Sequence, residues 1–102
     1  MKNSCEVKYE VNLTVKLEVV DSFRQWLLPH VHEMMQFAGF RKVDIYTVIE
    51  PAQSGCEQII VLYTVDTMAQ LNAYLQDNAE QMRKKTRDNF SNKFTVERRI
   101  FR

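Results

Sequence analysis

The segment Gln58 to Val65 is apolar on both of its alternating faces, and few folds accept such a strand. Ile59, Val61, Tyr63 and Val65 fall on one side, and Ile60 and Leu62 on the other. Successive strand side chains point to opposite faces of a sheet. A strand apolar on both faces is covered on both. This one therefore belongs in the middle of a sheet, with something packed above and below it.

A second strand is just as clear. Val7, Tyr9, Val11, Leu13, Val15 and Leu17 alternate with Glu6, Lys8, Glu10, Asn12, Thr14 and Lys16, the pattern of a half-buried strand. Phe40 to Glu50 reads as a third, with Val43, Ile45, Thr47 and Ile49 on one face and Tyr46 and Val48 on the other. Pro51-Ala-Gln-Ser-Gly55 supplies turn chemistry and makes a hairpin with the segment after it. Lys93 to Phe101 is the last strand. Phe94, Val96, Arg98 and Ile100 share one face, and Thr95, Glu97, Arg99 and Phe101 the other.

Between the strands lie helical patterns. Phe23, Trp26, Leu27, Val31, Met34 and Met35 recur at helical spacing, with Asp21 as the expected N-cap and Gly39 as the stop. Pro29 interrupts this pattern, and a kink or false start is expected there. Thr67 and Gln70 have capping-box spacing. Met68, Leu71, Leu75, Ala79 and Met82 follow as an apolar stripe that Asp77-Asn78 can break before helix resumes to about Phe90.

The order βαββαβ in one 102-residue domain, residues 1–102, requires two right-handed crossovers. Its economical form is an α+β ferredoxin-like fold: a four-stranded antiparallel sheet, strands one and three central, helices on one face. The other face is left bare. It carries Glu10, Asn12, Thr14, Tyr46, Val48, Ile60, Leu62, Arg99 and Phe101. A patch with this apolar share marks an interface, and a homodimer through the open sheet face is expected, with Glu10 and Arg99 pairing across chains.

Charge is unevenly spread. Residues 1–82 hold six Lys/Arg against eleven Asp/Glu, a net of −5, and residues 83–102 hold eight against two, a net of +6. The expected cause is a basic end lying beside the chain's own acids. No aromatic residue interleaves the Arg83–Arg87 run, and the Gln58–Val65 strand has only Tyr63 and no glycine-aromatic signature, so nucleic acid is not an expected partner. Cys5 and Cys56 form no metal or disulfide spacing and are read as reduced thiols of a cytoplasmic protein. No apolar run approaches the roughly 20 residues of a membrane span.

Candidate site residues are few. Residues two apart on a helix point in nearly opposite directions, so His30 and His32, the only histidines, cannot share a metal, and no metal or cofactor is expected. His30 remains the best proton-transfer group. Arg98 breaks an apolar stripe, and a charge there needs a partner. Glu33 or Glu80 could supply it. Alternatively Arg98 binds a small anionic ligand in a pocket that His30, Trp26, Tyr9 and Tyr74 would line. No phosphate loop, dinucleotide fingerprint or serine elbow is present.

Several segments together resemble a known family. They are Tyr9-Glu-Val-Asn-Leu13, Trp26-Leu-Leu-Pro-His30-Val-His-Glu-Met34, Gly39-Phe40, Ile45-Tyr46, the run from Tyr74 to Arg83, Phe90-Ser-Asn-Lys-Phe94 and Arg98-Arg99-Ile100. The chain looks like the bacterial family called domain of unknown function 4286. The resemblance implies a ferredoxin-like fold of the dimeric α/β barrel type, and brings no activity with it. His30 matches the family pattern, whereas Asn78 stands where a histidine is expected. Two functional readings follow. One is a homodimeric, non-catalytic ligand-binding or accessory domain. The other is a small cofactorless enzyme of the monooxygenase-like barrels, with His30 as base and Arg98 as anion anchor.

Overall fold

Alternation near the N-terminal end produces a strand of ten residues. In the computed structural model, which describes residues 5–102, β1 runs over Val7–Lys16. A short 3₁₀ turn, Leu17–Val19, leads into α1 (Val20–Met34). There follow β2 (Phe40–Thr47), β3 (Cys56–Val65), α2 (Met68–Asp77), α3 (Ala79–Phe90) and β4 (Phe94–Phe101). The four strands form one antiparallel sheet in the order β2-β3-β1-β4. This is the expected ferredoxin-like arrangement, with the doubly apolar strand β3 inside the sheet.

Register sets the two faces. Tyr9 lies opposite Tyr63 and Ile100, Val11 opposite Val61 and Arg98, and Leu13 opposite Ile59 and Val96. That inner face joins the buried stripes of the helices in one core: Phe23, Leu27, Val31 and Met34 from α1, Leu71 and Tyr74 from α2, Ala79, Met82 and Phe90 from α3. The outer face carries no helix. Ile60 and Leu62 are half-buried on it, while Tyr46 and Phe101 are exposed.

The basic C-terminal end lies against acids of the same chain, as expected. Lys85 pairs with Glu33 at 2.6 Å, Arg87 with Glu80 at 2.5 Å and Lys93 with Glu18 at 3.2 Å. Arg99 clasps Glu10 through two hydrogen bonds of 2.8 and 2.9 Å. Here the expectation is corrected. Glu10 and Arg99 are direct cross-strand partners within one chain, so neither depends on a second chain for its charge.

Four local expectations also change. Asp21 falls inside the first turn of α1 rather than capping it, because the preceding 3₁₀ turn has already wound the chain. Helix α1 passes through Pro29 without ending. Its buried stripe packs on both sides of the proline, and that burial outweighs one lost hydrogen bond. Helix α1 ends at Met34, before Gly39, whose φ of +86° instead turns the chain into β2. Finally, β2 stops at Thr47 and leaves Ile49 84% exposed. The Val48 N–H still bonds to the Gln58 carbonyl, and beyond it the chain leaves the ladder for the turn around Pro51–Gly55. The break between α2 and α3 falls at Asn78, as its neighbours suggested.

The glycines give a test of this local geometry. Gly39 and Gly55 both have positive φ. A methyl group at Gly39 would come within 2.8 Å of the Gln70 Cβ, whereas one at Gly55 would meet nothing within 4 Å. Gly55→Ala is expected to cost about 1–2 kcal/mol from backbone strain alone. Gly39→Ala should cost clearly more, and urea denaturation of the two variants checks that order. Equal midpoints would rule out close packing between Gly39 and α2.

Candidate functional site

A sheet face needs more cover than three short helices supply at this chain length, and a cavity of about 280 Å³ remains between α1, α3 and the β1–β4 side of the sheet. Pockets that hold small molecules begin near ~300 Å³. Its floor is the inner face of the sheet, with Tyr9, Val11 and Leu13 from β1 and Val61 and Tyr63 from β3. Its walls are aromatic. Phe23 lies 5.8 Å from Trp26 and 5.8 Å from Phe94, ring to ring, and all three line the cavity. The open side is between α3 and β4, where Arg87, Ser91 and Thr95 reach solvent.

All five residues singled out from the sequence line this one cavity: His30, Arg98, Trp26, Tyr9 and Tyr74. Each arrives from its own element for a local reason. Tyr9 and Arg98 occupy inward-facing positions of adjacent strands, Arg98 across from Val11. Trp26 and His30 are one helical turn apart on α1, and their rings stack at 4.5 Å. Tyr74 comes from the buried stripe of α2 and tilts against Tyr9 at 6.2 Å.

The sixth residue, Arg83, is one that sequence reasoning missed. It stands one position after the stripe residue Met82, inside a basic run read as lying beside the chain's own acids. The signal was there in its spacing: Ala79, Arg83, Thr86 and Phe90 recur at helical intervals, and Arg83 and Thr86 line the cavity with Met82. Arg83 donates from Nη2 to the Tyr9 hydroxyl at 3.3 Å. The same hydroxyl interacts with Arg98. Two guanidinium groups thus converge on one phenol.

The electrostatics of this corner are one-sided. Neither Glu33 nor Glu80 pairs with Arg98; they are taken by Lys85 and Arg87. No Asp or Glu lines the cavity. Of the eight basic residues after position 82, five pair with carboxylates among the described residues: Lys84, Lys85, Arg87, Lys93 and Arg99. Two of the three that do not, Arg83 and Arg98, face the cavity. Arg98 is exposed as a residue, yet it lines the cavity. Partial burial pushes its pKa down, the Tyr9 ring environment opposes this, and the like charge of Arg83 adds to it. Burial pushes the Tyr63 and Tyr74 phenols well above their ordinary value, so both stay neutral hydrogen-bonding groups.

Two buried polar atoms in the lining lack a hydrogen-bond partner, His30 Nδ1 and Arg83 Nε. Such groups are costly to leave unsatisfied. Burial lowers the His30 pKa from 6.5, Glu33 pulls it back up, and Lys85 adds to the depression. The imidazole is therefore neutral at pH 7 and able to accept a proton or a hydrogen bond. No group of three or more metal-ligating side chains exists among the described residues, nor does any helix there have the length and apolarity to cross a membrane.

A base whose pKa is depressed in the folded state takes up a proton more readily when unfolded. Its contribution to stability is intact above pH 6.5 and is lost as pH falls from there toward the lower folded value. The melting temperature of the wild type should therefore drop below pH 6.5 more steeply than that of His30→Gln. Parallel curves for the two proteins would mean that His30 is not desolvated by the cavity.

Comparison with other proteins places this geometry. Among curated proteins, none matches the chain in sequence. The chain is similar in structure to a conserved protein from Methanosarcina mazei Go1, with a TM-score of 0.73 and 16% identity over 98% of this chain and 94% of that one. It is also similar to a Deinococcus radiodurans protein provisionally designated an antibiotic biosynthesis monooxygenase (TM-score 0.72, 13% identity, 94% of this chain and 90% of that one). A third likeness is to SnoaB, a cofactor-independent oxygenase from Streptomyces nogalater (TM-score 0.68, 13% identity, 97% and 93%). At these identities the likeness establishes the fold. The family model described as domain of unknown function, DUF4286, matches residues 6–102, and the chain belongs to that family.

Proposed function

We propose that this protein is a homodimeric, single-domain binder of a small, largely apolar molecule, held between α1, α3 and the sheet without chemical change. The carrying observation is the cavity: about 280 Å³, walled by aromatic rings, with a few convergent polar groups and two of those unsatisfied. That combination is the usual make-up of a small-molecule site. Trp26, the only tryptophan of the chain, lines it and serves as a built-in reporter. Phenol and para-cresol, small enough to enter, should raise the melting temperature in a concentration-dependent way and shift the indole N–H resonance of Trp26. Absence of both effects at millimolar probe would refute the binding reading.

A second reading, a cofactor-independent oxygenase with His30 as base and Arg98 as anion anchor, is supported by the neutral, unpartnered His30 imidazole and by the fold shared with SnoaB. Fold alone does not carry function. A ligand recovered unchanged after incubation in air favours binding. Uptake of dioxygen in proportion to ligand lost favours the oxygenase.

The dimer is inferred from the outer sheet face. Tyr46 and Phe101 are exposed there and Ile60 and Leu62 only half-covered, an apolar share that a second copy of the sheet would bury. Light scattering at micromolar concentration should give twice the chain mass for the wild type. Leu62→Glu places a charge in that face and should give the monomer mass; a variant that stays dimeric would move the interface elsewhere.

A further inference from the structure

The polar groups of the cavity are arranged by kind as well as by place. Arg83 from α3 and Arg98 from β4 bring two positive charges to the Tyr9 hydroxyl, with no acid in the lining to neutralise them. Arg83 still has a buried Nε–H to donate. A guanidinium with Nε and an Nη presented together is the geometry that takes a carboxylate through two parallel hydrogen bonds. His30, from α1, offers a neutral nitrogen with no partner, stacked on Trp26. Between these groups the walls are apolar and flat-ringed: Phe23, Trp26, Phe94 and the floor residues of β1 and β3. At about 280 Å³ the cavity is at the lower end of small-molecule pockets and suits a single-ring guest.

We propose that the cavity takes a small aromatic carboxylic acid bearing a second hydrogen-bonding group, its carboxylate clamped by Arg83 and Arg98 and its second group held by His30. This rests on the ligand-binding reading above and specifies its chemistry. An inorganic anion would satisfy the arginines but leave the aromatic walls and His30 unmatched. A neutral arene would fill the walls and leave two like charges facing each other. The aromatic acid answers all three features. Its ring lies on the stacked Trp26–His30 side, and its charge balances the guanidinium pair in a setting where water competes poorly.

The test compares four probes against the wild-type protein by titration calorimetry at pH 7: para-hydroxybenzoate, its methyl ester, benzoate and phenol. Para-hydroxybenzoate should bind about tenfold or more tightly than the ester, since hydrogen bonds to charged groups are the strong ones. It should bind about two- to tenfold more tightly than benzoate, which lacks the group for His30. Arg98→Met should narrow the gap between the acid and its ester, Arg83→Met with Arg98→Met should close it, and His30→Phe should erase the difference between para-hydroxybenzoate and benzoate. The acid-against-ester comparison uses only the wild type, so it holds even if a variant folds poorly. Acid and ester binding alike, with phenol also bound, would overturn the carboxylate clamp and leave the cavity reading standing. Benzoate equal to para-hydroxybenzoate would overturn the role of His30. Failure of all four probes would overturn the clamp and the ligand-binding reading together.

Discussion

The antiparallel ladder between β1 and β3 is the constraint on which everything else hangs. It runs unbroken from Val7 opposite Val65 to Lys16 opposite Cys56. A one-residue slip would turn Tyr9, Leu13, Val15, Ile59, Val61 and Tyr63 to the wrong face. With that register held, β2 and β4 can only be edges. The connections must then carry their helices over the apolar side, because those side chains are the ones that need cover. The site inherits its floor from this ladder. Tyr9 and Tyr63 are register partners whose rings stack at 6.0 Å, and Arg98 reaches the same floor because β4 adds to β1 with Val11 opposite it.

Much of this was legible from residue order, and the reason is periodicity. Alternation over β1 and the doubly apolar β3 leave little freedom in assigning strands, faces or their place in the sheet. The parts that were not legible depend on tertiary packing. Pro29 reads as an interruption, yet the stripe from Phe23 to Met34 is buried on both sides of it and holds the helix together. Gly39 reads as a helix stop, yet it is used to bring the chain close against Gln70 of α2. Glu10 and Arg99 read as groups awaiting a second chain, because sequence alone shows which face a residue occupies and not which strand will bring its opposite number.

The candidate site divides in the same way. Arg98 was legible because a charge in an apolar alternation is conspicuous. Arg83 was hidden by its neighbours, since Lys84 and Lys85 are paired with acids away from the cavity, Arg87 is held by Glu80 at its mouth, and Arg83 of that run reaches the Tyr9 hydroxyl. The ion pairs decide which cations remain available. Once Glu33, Glu80, Glu18 and Glu10 are engaged, the cavity is left with a positive corner and no counter-charge of its own. The helix breaks at Asn78, and α3 then carries Arg83 into the lining of the cavity.

The register irregularity in β2 between Phe40 and Lys42 has a bearing on how the protein keeps company with itself at high concentration. An edge strand presents unpaired backbone groups that can recruit another chain and grow into a fibril, and bulges and charged side chains are the common deterrents. Here the irregular edge carries Arg41, Lys42 and Asp44 in close succession, and the opposite edge, β4, carries Glu97, Arg98 and Arg99. Any strand docking edgewise would have to align with a ladder that is out of step on one side and densely charged on both. The sheet is thus closed to lateral growth, and its one apolar approach is across its open face. A chain with so exposed a face can self-associate there and still be discouraged from polymerising, because the direction that would propagate without limit is the one its edges oppose.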